Sequence, residues 1–217
     1  MIKIGITIGD INGVGPEVII KALSNQKLLE FFIPIVYGSY KVLSYHKNIV
    51  NNSNLVFHSI QHPGQAVEGK INLINCWEDN VSITLGRPTV EGGKYAMLAL
   101  ERAGKDIIEK SIDAVVTAPI HKHAMQLAKF PYPGHTEFFT YLDNNAKSLM
   151  LMQSEDLKVA LVTAHVPLSQ VTEKITKELV IEKIKLLNKT MIEDFGYEKP
   201  LIGVLGVNPH ASDNGLM

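Results

Sequence analysis

Two histidines close apolar runs that read as strands: His165 ends LKVALVTAH and His210 ends LIGVLGVNPH. A neutral imidazole is a common ligand for zinc and related divalent ions. Two imidazoles similarly placed after strands can begin such a site but cannot close it, because a catalytic zinc takes three protein ligands plus water or substrate. The bland reading is that both are exposed or structural loop residues. A second polar cluster is Pro133-Gly134-His135-Thr136-Glu137. If Thr136 caps a helix beginning at Glu137, the helix N-terminus beside His135 is a candidate oxyanion or phosphate site. Otherwise Thr136 is only a cap and His135 only exposed.

Two further loops follow apolar strands. Gly9-Asp10-Ile11-Asn12-Gly13-Val14-Gly15-Pro16-Glu17 places glycines before a helix, where backbone amides can approach an anion. Gly13-Val14-Gly15-Pro16-Glu17-Val18 lacks the third glycine of a dinucleotide fingerprint, and no GK[ST] follows, so a tight turn is the competing reading. In Thr117-Ala118-Pro119-Ile120-His121-Lys122, Lys122 is either an anion contact or a surface lysine. His46, His58, His62, His121 and His123 have no comparable context and read as surface or loop residues. Cys76, beside Trp77, reads as a small apolar residue and not a nucleophile. No GxSxG or HExxH occurs.

The elements that must position these residues alternate between strand and helix periods. Ile2, Ile4, Ile6 and Ile8 alternate along a strand over 2–8, and Pro16 opens a helix running to about Leu23. IPIVYG (33–38) reads as a strand and 39–46 as a short helix, with two short strands near 54–58 and 70–75. Tyr95, Leu98, Ala99, Arg102 and Ala103 fall at helical spacing within 90–110, and Asp113 to Pro119 is an apolar run of strand length. The segments 147–153 and 157–164 read as a β pair. An amphipathic helix follows over 176–195, with Thr176 as its N-cap, Val180, Ile184, Leu187 and Met191 on one face, and Gly196 as its stop. LIGVLGV (201–207) reads as a buried strand. This alternation implies an α/β fold with a largely parallel sheet. The Pro/Gly/His-rich stretch 119–136 is the candidate crossing between domains, giving an expected division into 1–120 and 121–217. The chain stops directly after a strand and a polar loop, where a further helix or strand is expected, so the second domain reads as incomplete.

The composition narrows the function classes. A chain of 217 residues that is 46% hydrophobic and 20% charged is an ordinary globular sequence with enough length for a sizeable core. Its 21 Lys+Arg against 22 Asp+Glu leave a net charge of −1, so no global field draws it to nucleic acid or an anionic membrane. With one cysteine there is neither an intramolecular disulfide nor a cysteine-based zinc cluster. The N-terminus reads as a strand and not as a signal peptide, and no apolar run approaches the ~18 residues of a membrane span. A soluble cytoplasmic protein is expected.

Five motifs in order, GDINGVGPE, TAPIHK, PGHTEF, LVTAHVPL and VNPHA, closely resemble the 4-hydroxythreonine-4-phosphate dehydrogenase family of pyridoxal phosphate biosynthesis. The resemblance runs from residue 4 to residue 217. It implies an α/β/α sandwich in two domains, similar to the isocitrate and isopropylmalate dehydrogenases. The activity implied is NAD-dependent oxidation of 4-phosphohydroxy-L-threonine at its 3-hydroxyl, followed by decarboxylation to 3-amino-2-oxopropyl phosphate. A divalent metal, zinc first and magnesium or cobalt next, is held by three histidines, and the cleft lies at a homodimer interface. Carried onto this chain, His165 and His210 match metal ligands, and His135 and Thr136 match substrate-binding residues; no catalytic or NAD-binding residue is assigned. A metal on the substrate hydroxyl would lower its pKa, and amides, hydroxyls and cations would receive the phosphate.

The sequence departs from the family at GDING, commonly GDPAG, and at NPHASDNG, commonly NPHAGEGG. Family members continue past this end, and the third histidine, several phosphate-binding residues and most of the NAD site lie in that continuation. The 217-residue chain by itself is therefore expected neither to bind NAD well nor to turn over. Alternatives are a paralogue that oxidises another phosphorylated hydroxy acid or a diol from aromatic degradation, a non-catalytic remnant, and a metal-dependent hydrolase built on His165 and His210.

Overall fold

The computed structural model describes residues 1–217 except 52, 53, 145 and 217, together with the side chain of 214. The chain forms two compact units, Met1–Ala146 and Lys147–Met217.

The first unit is built on a five-stranded parallel sheet in the order β3-β4-β2-β1-β5. Its strands are β1 (Lys3–Thr7), β2 (Ile33–Gly38), β3 (Phe57–Ile60), β4 (Ile71–Asn75) and β5 (Ala114–Thr117). Helices α1 (Gly15–Leu23), α2 (Tyr40–Ile49) and α3 (Val90–Ile108) connect them, and α4 (Lys122–Leu127) and α5 (His135–Leu142) follow. Every residue of β2 is buried, as a strand covered on both faces requires. The same reason removes the significance of the isoleucine alternation in β1. From Gly5 onward both faces are buried, and Ile2 lies outside the strand, 55% exposed. The core gathers Ile6, Ile35, Tyr37, Leu73 and Ile74 from the strands and Ile8 just past β1 with Ile20, Leu43, Ala99 and Ala103 from the helices. At β5 the sheet has an edge, and Val116 is 54% exposed.

A second apolar cluster brings together Ala96 and Leu100 of α3, Met125 of α4, Phe130, and Phe138 of α5. Two glycines of α3 allow this packing. A Cβ on Gly93 would stand 2.0 Å from the Ala124 carbonyl oxygen, and one on Gly104 would stand 2.6 Å from Leu142 Cδ1. The stretch 119–136, expected to be a crossing, thus contains α4 and the start of α5, both packed into the first unit. Compactness divides the chain at 146/147 and not at 120/121.

The second unit holds the antiparallel pair β6 (Leu151–Gln153) and β7 (Lys158–Ala160), α6 (Leu168–Lys174) and α7 (Lys177–Glu193). Thr176 caps α7, its Oγ1 accepting from the Leu179 amide at 3.2 Å, and Gly196 past its end has φ +72°, both as the sequence implies. The helix α6 carries no such cap and was not legible in the sequence.

The expected buried strand at 201–207 is overturned. No strand forms there, and Leu201, Val204, Leu205 and Val207 are exposed. An apolar run becomes a strand only where a neighbour takes up its backbone groups, and the one sheet of this unit, among the described residues, is the β6-β7 pair.

Candidate functional site

The carboxyl ends of β1 and β5 carry adjacent loops. The Asp10 amide donates to Pro119 O at 3.0 Å, and Gly9, at φ +69°, presses so closely that a Cβ there would lie 2.4 Å from that oxygen. Gly9 is therefore required both by its backbone conformation and by the close approach. The loop it begins is a tight turn, the second of the two readings offered by the sequence. Asp10 Oδ1 accepts the Asn12 amide at 2.9 Å, and Asp10 O accepts the Gly13 amide at 3.0 Å. Amides used internally in this way are not offered to an anion.

Asn12, where the resemblance sets an alanine, ties this turn to the loop that enters α3. Its Nδ2 donates to Thr89 Oγ1 at 2.9 Å and Arg87 O at 3.3 Å, and its Oδ1 accepts the Thr84 amide at 2.8 Å. Its carbonyl accepts the Gly86 amide at 2.8 Å. Sequence spacing gave no sign of this role, because the partners lie more than seventy residues away. His46, read from sequence as a surface or loop residue, is also corrected. It is buried, with Nε2 2.9 Å from Ile11 O, so its neutral ring donates there. Burial pushes its pKa below 6.5 against the opposing effects of that hydrogen bond and of Glu17.

α5 presents the clearest binding geometry. Its N-cap is Gly134, which makes no side-chain capping bond, and His135 is its first residue. Thr136 is therefore not the expected cap but an exposed residue of the first turn. His135 Nε2 is buried and has no hydrogen-bond partner. Desolvation lowers the His135 pKa below 6.5, which keeps the ring neutral near pH 7. A buried polar nitrogen without a partner is uncommon. Here it lies beside a hydroxyl and the uncapped start of an eight-residue helix. Packing of Phe138 against Phe130 and Tyr132, with ring centroids 5.8 and 5.5 Å away, fixes the helix. Lys122 begins the six-residue α4 and is exposed; His121 caps that helix, Nδ1 facing the Ala124 amide at 3.5 Å.

His165 and His210 both lie in the second unit, exposed and in left-handed backbone, with φ 55° and 53°. Neither terminates a strand: β7 ends at Ala160, and His210 lies in a short 3-10 turn. Among the described residues no three His, Cys, Asp or Glu side chains converge on a metal position. The two imidazoles alone do not make a closed metal site.

The family model for pyridoxal phosphate biosynthetic protein PdxA matches residues 30–217. A 4-hydroxythreonine-4-phosphate dehydrogenase of Bacteroides thetaiotaomicron is 44% identical over 218 residues, covering 100% of this chain and 59% of that protein. A D-threonate 4-phosphate dehydrogenase of Cupriavidus necator is 35% identical, covering 98% of this chain and 64% of that one. The crystal structure of a 4-hydroxythreonine-4-phosphate dehydrogenase from Burkholderia phymatum matches with TM-score 0.86 at 33% identity, over 100% of this chain and 66% of that one. The chain thus spans between 59% and 66% of the length of these three proteins.

Proposed function

Because the chain belongs to the PdxA family of pyridoxal phosphate biosynthetic proteins, we propose that it is part of a dehydrogenase acting on a phosphorylated hydroxy acid, with 4-phosphohydroxy-L-threonine as the substrate. In that reaction a hydride leaves C3 of the substrate for NAD, the hydroxyl proton departs, and the resulting β-keto acid loses carbon dioxide to give 3-amino-2-oxopropyl phosphate. The observation that carries the reading is the unpartnered His135 Nε2 beside Thr136 at the start of α5. Neutral His135 holds its proton on one ring nitrogen and can donate it to a substrate oxygen. The Thr136 hydroxyl and the first-turn amides of α5 receive the phosphate.

His165 and His210 are proposed as two ligands of a divalent ion, zinc by preference; no third ligand joins them among the described residues. NAD, the metal, a homodimeric assembly with the site at its interface, a cytoplasmic location and an isocitrate dehydrogenase-like two-domain plan belong to the same reading. No described helix is long and apolar enough to cross a membrane. D-threonate 4-phosphate is the second candidate substrate, supported by the name of the Cupriavidus necator relative. The test is NAD reduction by the whole protein with zinc and each substrate in turn. Expected is turnover of 4-phosphohydroxy-L-threonine, and a loss of about tenfold or more in kcat/KM for His135→Ala, since a buried hydrogen bond to a charged ligand is lost. Turnover of neither substrate would overturn the proposal, and turnover of D-threonate 4-phosphate alone would favour the second candidate.

A further inference from the structure

We propose that the first unit carries a second ligand site, for a small phosphorylated metabolite, in the cavity beyond the carboxyl ends of β2, β3 and β4. The inference is independent of the function proposed above and rests on sheet topology. The connection leaving β2 passes through α2 outward to β3, whereas that leaving β4 passes through α3 in the opposite direction to β5. Because β2 and β4 are neighbours, right-handed connections running in these opposite directions lie on opposite faces of the sheet, and open α/β sheets bind ligands in the crevice that such loops leave at the carboxyl ends.

A cavity of about 270 Å³ lies there, lined by Ser39 after β2, Ser59 of β3, and Asn75 and Trp77 at and after the end of β4. Its volume is just below the range typical of drug-sized ligands, which suits a small metabolite. Lys41 and the exposed Glu78 also contribute to the lining.

Two independent features give this cavity its chemistry. First, α2, ten residues long, begins at it. Ser39 is the N-cap yet makes no side-chain capping bond, so the hydroxyl is not committed to the helix. Asn75 Oδ1 accepts the Tyr40 amide at 2.8 Å and so fixes the helix start against β4. The positive end of the helix dipole favours an oxyanion there. Second, Trp77 is 8% exposed and its indole N–H is buried without a partner. A tryptophan N–H normally finds an acceptor when buried, and a ligand oxygen in the cavity that Trp77 lines would supply one. The Lys41 ammonium lies beside the cavity, donating at present to Asn80 Oδ1 at 2.7 Å and Glu78 O at 3.4 Å. The Glu78 carboxylate offsets that charge and can accept from a ligand hydroxyl. A phosphate ester carrying hydroxyl groups meets all of these groups.

Trp77 is also the only tryptophan of this sequence, so its fluorescence reports this cavity directly. The experiment titrates the protein with inorganic phosphate at constant ionic strength. Expected is a saturable change in Trp77 fluorescence, weakened about tenfold by Ser39→Ala and by Lys41→Met, the magnitude of one lost hydrogen bond to a charged group. Lys41 is exposed, so its replacement leaves folding untouched even if the Ser39 variant is unstable. His135→Ala should leave the titration unchanged, which separates this site from the one at α5. The absence of a saturable change, or a change that both Ser39→Ala and Lys41→Met leave intact, would overturn the proposal.

Discussion

His46 and His135 show how little a histidine's sequence neighbours say about its state. Both are pushed below the ordinary imidazole range by burial, but one has a carbonyl to donate to and the other has no partner. The linkage sign follows directly. The folded protein resists protonating His46, while the unfolded chain takes up the proton as pH falls through 6.5, the ordinary value for histidine. The contribution of His46 to stability is therefore complete well above that pH and is lost progressively as pH falls through it toward the lower folded pKa. Urea midpoints at about pH 7.5 and about pH 5.5 should differ in the parent protein. In a His46→Gln variant, which keeps a donor for Ile11, the difference should shrink; His135 contributes the same sign, so some slope remains. An unchanged slope in the variant would show that His46 is not the group responsible. Burial also explains why Cys76 carries no chemistry: its thiol is pushed up to about 12, so it stays protonated near neutral pH.

At the scale of elements, α3 is the element that holds α5, where the substrate site is proposed. Gly104 lets α5 approach α3, and Gly93 lets α4 do the same. A methyl group at residue 93 would collide with the backbone oxygen of Ala124, which cannot rotate aside as a long side chain can. Gly93→Ala should therefore cost about 2 kcal/mol, in the range of overpacked cores, despite the gain in helix propensity. The measurement is the denaturation midpoint; an unchanged or raised midpoint would contradict the packing argument. Helical spacing located α3 and α7 within a few residues, because each carries a long periodic apolar face; the Thr176 cap of α7 was legible as well, whereas the Thr89 cap of α3 was not. It missed α6 and α4, which are seven and six residues long, too short for a period to repeat.

The two units differ in how far they bury their apolar residues. The first holds two clusters of buried side chains. In the second, Met191 is the one buried hydrophobic among the described residues, while Leu157, Leu168, Leu201 and Leu205 are exposed by 62 to 101%. Its polar contacts include the Lys147–Glu182 ion pair, the Lys183 Nζ donation to Ser148 O at 2.6 Å, and the Lys158 Nζ donation to Tyr197 OH at 3.2 Å. Exposed ion pairs contribute little, and most stability comes from burial. Native-state hydrogen exchange of the 217-residue chain should find slow amides in β1, β2 and β4 and fast exchange throughout α7. Equal protection of the two units would show that a core in the second has been underestimated.

What the sequence determined by itself was whatever depends on local pattern: the parallel strands and long helices of the first unit, the cap of α7, and five motifs specific enough to indicate the family. His135 was singled out by its motif; that its Nε2 is buried with no partner is visible only in the structure. Tertiary structure decided whatever depends on which neighbour is present. The run 201–207 is as apolar as β2, yet β2 lies between β1 and β4 while 201–207 pairs with no strand among the described residues. The same dependence on distant partners made Asn12 a tie between two loops, buried His46, and left the Trp77 indole N–H without an acceptor. Periodicity records which face of an element is apolar; burial and hydrogen bonding are settled by what the fold brings against it.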